Sequence, residues 1–248
     1  MTSTGTRHAL TIDVEEWFHD DWRPNRGVDW DELPSTVVTE VERVLELLAA
    51  ANVRATFFVL GDVVRRHPTL VRRIAAAGHE IGSHGYAHVK VASQTPDEFA
   101  DDVRRSRALL EDALGAAIAG YRAPYFINSP RQLWATDVLA SLGFRYDAGY
   151  VPVRWMPYAG RRAPRAPYRH PSGLWEFPLP FAEAYGGWNL PYAGGGPRRP
   201  SPCSGRPAAR STTFPSCLQS PPASNPSPAF PPPAPAIPKP LHTPRFAE

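Results

Sequence analysis

The sequence predicts an α/β fold on a parallel sheet, either doubly wound or a (β/α) barrel, and three observations carry this expectation. Strand-like and helix-like stretches alternate from residue 9 to residue 179. About six of these stretches read as strands, which suits a parallel sheet with covering helices. The chain has 248 residues, 42% of them apolar, enough for a sizeable core.

ALTIDV (9–14) alternates as a strand does, and VVTEVERVLELLAAA (37–51), led by Ser35-Thr36, has the apolar spacing of an amphipathic helix. RATFFVL (54–60) reads as a buried strand, DVVRRHPTLVRRIAAAG (62–78) as a helix, and HEIGSH (79–84) as a short strand. TPDEFADDVRRSRALLEDALG (95–115) opens with a capping pattern and ends on glycine, as a helix should. AGYR (119–122) follows as strand, RQLWATDVLASLG (131–143) as helix, and FRYD (144–147) and LWEFPL (174–179) as two further strands.

Beyond Gly196 the character changes. Residues 197–248 hold about half of the 30 prolines, with serine and alanine and no apolar period. Such a segment cannot bury enough surface to order itself, so a disordered tail is expected after a folded part at 1–196. The tail starts where a barrel would still need a strand or two. That position suggests an incomplete barrel whose ending was replaced, by a change of reading frame or by an unusual terminus.

The formal net charge is +3, but nearly all the acids precede the tail and only Glu248 lies within it. The folded part is close to neutral, which gives no argument for nucleic acid or an anionic membrane. Both cysteines, Cys203 and Cys217, also fall in the tail, so no disulfide staples the folded part. No run of signal-peptide or membrane-spanning length is visible, and a cytoplasmic location is expected.

Chemistry in such folds gathers at the carboxyl ends of the strands. On the first strand, Thr11, Asp13 and Glu15 are two apart and share one face, so two carboxylates project together. A like-charged pair of this kind is costly without a cation, although acids at strand ends also cap helices. The third strand ends in IGSHGYAH (81–88), with His84 and His88 four apart among glycines. Two neutral imidazoles with one carboxylate suit zinc or another divalent transition ion; histidines on a surface turn are the ordinary alternative. Arg122-Ala-Pro-Tyr125 closes the fourth strand and Asp147 the fifth. An arginine there could hold an inward carboxylate, and a structural ion pair would look the same in sequence.

The ordered series TIDVEEW, ATFFVLG, GHEIGSHGYAH, YRAPYF and FRYDAGY resembles the polysaccharide deacetylase (NodB-homology) family of metal-dependent carbohydrate esterases, over roughly residues 8–196. It is most similar to a branch linked to exopolysaccharide synthesis and exosortase systems. The resemblance implies a distorted (β/α) barrel that removes acetyl groups from an N-acetylated polysaccharide or oligosaccharide. It also implies Asp13 as catalytic base, His84 and His88 as ligands of a divalent metal such as zinc, Arg122 as the tether of Asp13, Tyr125 as oxyanion donor through its backbone, and Asp147 as a partner of Arg122. The family commonly places a carboxylate directly after the base, where this chain has Val14; strand alternation moves the third ligand to Glu15. Gly85 stands where a serine or threonine often follows the first histidine. The family's histidine general acid has no counterpart before the tail, where only Leu241-His242 matches its pattern. His19 and His170 are conceivable substitutes.

Overall fold

The computed structural model describes residues 9–20, 27–127, 129–151, 164, 166–179, 181–184 and 188–191. They lie in the compact unit Met1–Arg198, and the proline-rich tail with Leu241-His242 lies outside the described residues. Strand and helix alternate as β1 (Thr11–Val14), α1 (Val37–Ala51), β2 (Thr56–Val59), α2 (Gly61–Arg66), α3 (Pro68–Ala76), β3 (Glu80–Ser83), α4 (Pro96–Leu114), β4 (Gly120–Tyr121), α5 (Trp134–Ser141) and β5 (Tyr146–Asp147). After these come β6 (Tyr168–Arg169), β7 (Trp175–Glu176), β8 (Phe181–Ala184) and β9 (Trp188–Pro191).

One sheet has the order β1-β2-β3-β4-β5-β7-β6, and β8 pairs with β9 in a separate antiparallel hairpin. Every neighbouring pair from β1 through β7 is parallel, and β6 alone runs antiparallel, against β7. The sheet curls. In a flat sheet β1 and β4 would stand three steps of about 4.8 Å apart, roughly 14 Å, yet Arg122 just past β4 hydrogen-bonds Asp13 of β1 at 2.8 Å. Among the described residues β1 pairs with β2 only.

The curl divides the strand residues into two sets. Val14, Phe57, Val59, Ile81 and Tyr121 enter the core with Val37, Val41, Leu70, Ile74, Phe99, Val103 and Leu110 of the helices. Each such buried side chain contributes about 1.5–3 kcal/mol, so the helices are held mainly by these faces. Asp13, Thr11 and Phe58 face inward, with the Arg122 guanidinium 4.3 Å above the Phe58 ring. A Cβ at Gly82 would meet that ring at 2.7 Å, so the inside of the curl is filled rather than hollow.

Local sequence accounts for the helix ends. Thr95 and Glu98 form the expected capping box of α4, which stops at Gly115 with φ of 68°. The single helix expected over 62–78 is two helices, broken at His67-Pro68. Proline has no N–H for the preceding turn and pushes residue 67 out of the helical region, to φ −132° and ψ 59°. The strand expected over 174–179 is only Trp175–Glu176. The strands β6, β8 and β9 carry no clear periodic signal and were not expected.

Candidate metal centre

The carboxyl ends of β1, β3 and β4 meet at one rim. Glu15, one residue past β1, brings Oε2 to 2.6 Å from His88 Nε2 and 3.7 Å from His84 Nε2. Donors on a tetrahedral zinc stand roughly 3.3 Å apart at ordinary bond lengths; the 3.7 Å separation is close to that, and at 2.6 Å Glu15 Oε2 and His88 Nε2 form a hydrogen-bonded pair. The three ligand atoms all lie within 4.8 Å of one another. His88 Nδ1 is buried without a hydrogen-bond partner, whereas Glu15 Oε2 has His88 Nε2 beside it. One carboxylate and two imidazoles converging in this way form a donor set suited to a divalent cation, whose charge would offset the partial burial of the carboxylate.

His84 is 3% exposed and its Nδ1–H donates to the Arg122 carbonyl at 2.9 Å. That bond puts the lone pair on Nε2, the atom facing Glu15, as backbone carbonyls do behind metal-binding histidines. Burial pushes the imidazole below its usual pKa and keeps it neutral, outweighing the carboxylates of Asp13 and Glu15 that favour the charged form. Burial pulls Glu15 upward, but the neighbouring His88 and His84 bring it net below the ordinary glutamate range.

Arg122 organises the second part of the rim. Nη1 donates to Asp13 Oδ1 and Nη2 to Thr11 Oγ1, each at 2.8 Å, and Nε donates to the Ala148 carbonyl at 2.9 Å. All three arms of the fork are used, so the Asp13 carboxylate is fixed in direction beside the histidine cluster. The tether goes from Arg122 to Asp13 and Thr11, the pair that strand alternation places on one face.

Asp147 does not clasp Arg122. Alternation along β5 turns Tyr146 toward the inside of the curl and Asp147 to the opposite face, and the arginine takes the carbonyl of Ala148 instead. Asp147 lies fully buried beside Glu176, its register partner on β7. Burial and then the Glu176 charge push Asp147 well above the ordinary aspartate range, and burial pushes Glu176 up to about 8. Such a pair holds a proton near neutrality. Asp147 Oδ1 accepts the Gly149 N–H at 3.1 Å and Glu176 Oε1 accepts the Tyr150 N–H at 3.2 Å. Together they shape the turn that presents the Ala148 carbonyl.

Tyr125 stands against the centre, its ring 4.7 Å from that of His88. Its hydroxyl donates to Asp20 at 3.0 Å and Lys90 lies 4.5 Å over its face. Tyr125 and Phe126 both have positive φ, 56° and 61°, a strained backbone that bulky residues adopt mostly at functional turns. A cavity of about 390 Å³ opens beside His88, lined among others by Asp20, Trp30, Lys90 and Tyr125. Trp30, Asp20 and Lys90 carry no pattern in sequence that marks them, because they come from irregular segments.

Of the two substitute histidines, His19 lines the cavity beside His88, whereas His170 Nε2 is buried without a hydrogen-bond partner. His19 Nδ1 accepts the Glu16 N–H at 3.0 Å, which leaves its proton on Nε2, and Nε2 faces Asp62 Oδ2 at 3.2 Å. His170 lies 3.6 Å from Glu176 in the buried carboxyl cluster.

Residues 27–146 match the family model described as polysaccharide deacetylase. Family model and relatives together support the polysaccharide deacetylase family. A peptidoglycan-N-acetylglucosamine deacetylase of Bacillus cereus is 38% identical over 96 residues, 38% of this chain and 35% of that protein. A chitooligosaccharide deacetylase of Bradyrhizobium is 34% identical over 112 residues, 45% of this chain and 48% of that protein. The crystal structure of a candidate polysaccharide deacetylase from Mycobacterium smegmatis superposes with a TM-score of 0.53 and 31% identity, over 69% of this chain and 57% of that one. The chain thus spans half or less of the length of these two curated relatives. The polysaccharide deacetylase match ends at Tyr146, so Asp147 and Glu176 fall beyond it.

Proposed function

We propose that this protein is a metal-dependent hydrolase that removes N-acetyl groups from an N-acetylated glycan in polysaccharide metabolism. One observation carries the reading. A Glu15/His84/His88 ligand set sits beside a carboxylate, Asp13, held in direction by a three-armed arginine. The relatives, named as peptidoglycan and chitooligosaccharide deacetylases, support an N-acetylated sugar as substrate.

Glu15, His84 and His88 would hold the ion, with zinc suited to two imidazoles and a carboxylate, and when bound it supplies Lewis acidity toward a carbonyl and acidifies water. Asp13 accepts the proton of the attacking water, and Arg122 keeps that carboxylate aimed. The Tyr125 N–H meets the negative charge that develops on the acetamide oxygen. Trp30 and Tyr125 offer aromatic faces for a sugar ring in the cavity beside His88. For proton delivery to the departing amine, His19 lines the cavity but turns its Nε2 to Asp62, and His170 lies beside Glu176.

Those engagements favour a second reading, a glycan-binding protein with a metal centre and little turnover. Loss of a general acid costs on the order of 10²–10⁴-fold in rate. Acetate release from N-acetylglucosamine oligomers, measured with and without a chelator, decides. Release that the chelator abolishes supports hydrolysis. Oligomer binding without release supports the second reading, and chelator-insensitive release overturns the metal mechanism.

A further inference from the structure

His84 and His88 are separated by three residues whose backbone is held from two sides. The carbonyl of Gly85 accepts the Gly61 N–H at 2.8 Å, and the carbonyl of Tyr86 accepts the Asp62 N–H at 3.1 Å, both from the start of α2. The opposite edge of the loop meets a single side chain. Asp102, in the middle of α4, accepts the Tyr86 N–H on Oδ2 at 2.8 Å and the Ala87 N–H on Oδ1 at 3.1 Å. Both carboxylate oxygens are therefore engaged by the two residues directly before His88.

The surroundings are built around this contact. Gly85 adopts φ of 76°, and a Cβ there would approach Asp102 Oδ2 to 2.9 Å and the Pro124 ring to 3.6 Å. The absence of a side chain at residue 85 is what admits the carboxylate. Arg105, on the same helix, lays its guanidinium 3.6 Å over the Tyr86 ring. The helix itself is anchored by buried Phe99, Val103 and Ser106, with Ser106 Oγ 2.8 Å from Ser83 Oγ at the end of β3. His88 then leaves the loop with φ of 53°, a conformation that an untethered histidine would seldom hold.

We infer that Asp102 is a positioning residue of the metal centre, fixing the loop that carries His88 so that both imidazoles face the ion with Glu15. This rests on Glu15, His84 and His88 being the ligands. A charge-assisted pair of backbone bonds is among the stronger neutral-donor contacts a carboxylate makes, and outer-shell partners of this kind typically govern 10–100-fold in metal affinity. A purely structural role in α4 would lower stability and leave the affinity of the folded protein unchanged.

The test measures zinc affinity of the full chain by competition with a chromophoric chelator, alongside circular dichroism and thermal unfolding of the metal-free protein. Asp102→Ala should weaken zinc binding about 10–100-fold. Asp102→Asn, which keeps the shape and one acceptor, should lie between it and wild type and decides the matter if Asp102→Ala does not fold. Asp101→Asn removes the same charge from the neighbouring, 79% exposed position and should leave affinity within about twofold, a difference expected of surface charge alone. A folded Asp102→Asn with wild-type affinity, in a protein whose His88→Ala form has lost it, overturns the positioning role alone. Unchanged affinity in His88→Ala means that the ligand assignment is wrong and takes the inference with it.

Discussion

Arg122→Lys tests the arrangement at its most connected point. The side chain is 5% exposed and makes three directed bonds, to Asp13, Thr11 and Ala148. Lysine keeps the charge and can reach Asp13, but its single ammonium cannot fork to a threonine on β1 and a carbonyl after β5 together. Two bonds from a charged donor are lost, each about 1.5–3 kcal/mol, so unfolding should become easier by about 3–6 kcal/mol. That is a large fraction of the roughly 5–15 kcal/mol that typical domains possess. Urea unfolding of the metal-free protein measures it: the midpoint should fall while the slope stays constant, because the same surface is exposed. Acetate release should drop as well, since Asp13 is then held by one contact and is free to rotate. A loss below about 1 kcal/mol, the value expected of an exposed pair, would refute the claim that this arginine ties the curled sheet together.

Asp13→Asn should abolish acetate release and leave bound zinc near one equivalent per chain; loss of zinc would show that Asp13 and Glu15 have exchanged roles. Gly85→Ser should destabilise the protein by about 1–3 kcal/mol, because it strains a left-handed backbone and crowds Asp102; an unchanged melting temperature would count against that geometry. Saturating zinc at about a hundred times its dissociation constant should raise stability by about 2.7 kcal/mol, and Glu15→Ala should remove most of that increment. The Asp147–Glu176 pair predicts a pH dependence. Glu176 holds its proton up to about 8 when folded and releases it near 4.5 when unfolded, so the folded state binds more protons between those values. Stability should fall as pH rises through that window, by up to about 1.4 kcal/mol per unit. Glu176→Gln should flatten the decline, and a decline of equal slope in that variant would place its origin elsewhere.

Much of this site is legible in the sequence because it lies on β1 and β3, where periodicity fixes which residues share a face. Thr11 and Asp13 turn the same way as alternation requires, and both meet Arg122. Glu15, one residue beyond β1, keeps to the same side and meets both histidines. Asp147 illustrates the limit. Its place at a strand end is readable, but a two-residue strand gives no pattern from which to tell the inner face from the outer. Asp102 sits in a run of charges, DEFADDVRR, that reads as the solvated side of α4. Only the three-dimensional approach of the histidine loop distinguishes it from Asp101. The break at His67-Pro68 was readable and overrides the apolar period on either side of it, since a missing N–H is a local certainty and periodicity only a tendency.

The bond between Arg122 and Asp13 joins positions 109 apart in the chain. Closing so long a loop carries an entropic cost that the intervening strand pairs help to offset. The contact that aims Asp13 therefore exists only where the fourth strand and the arginine behind it have been brought back to the first.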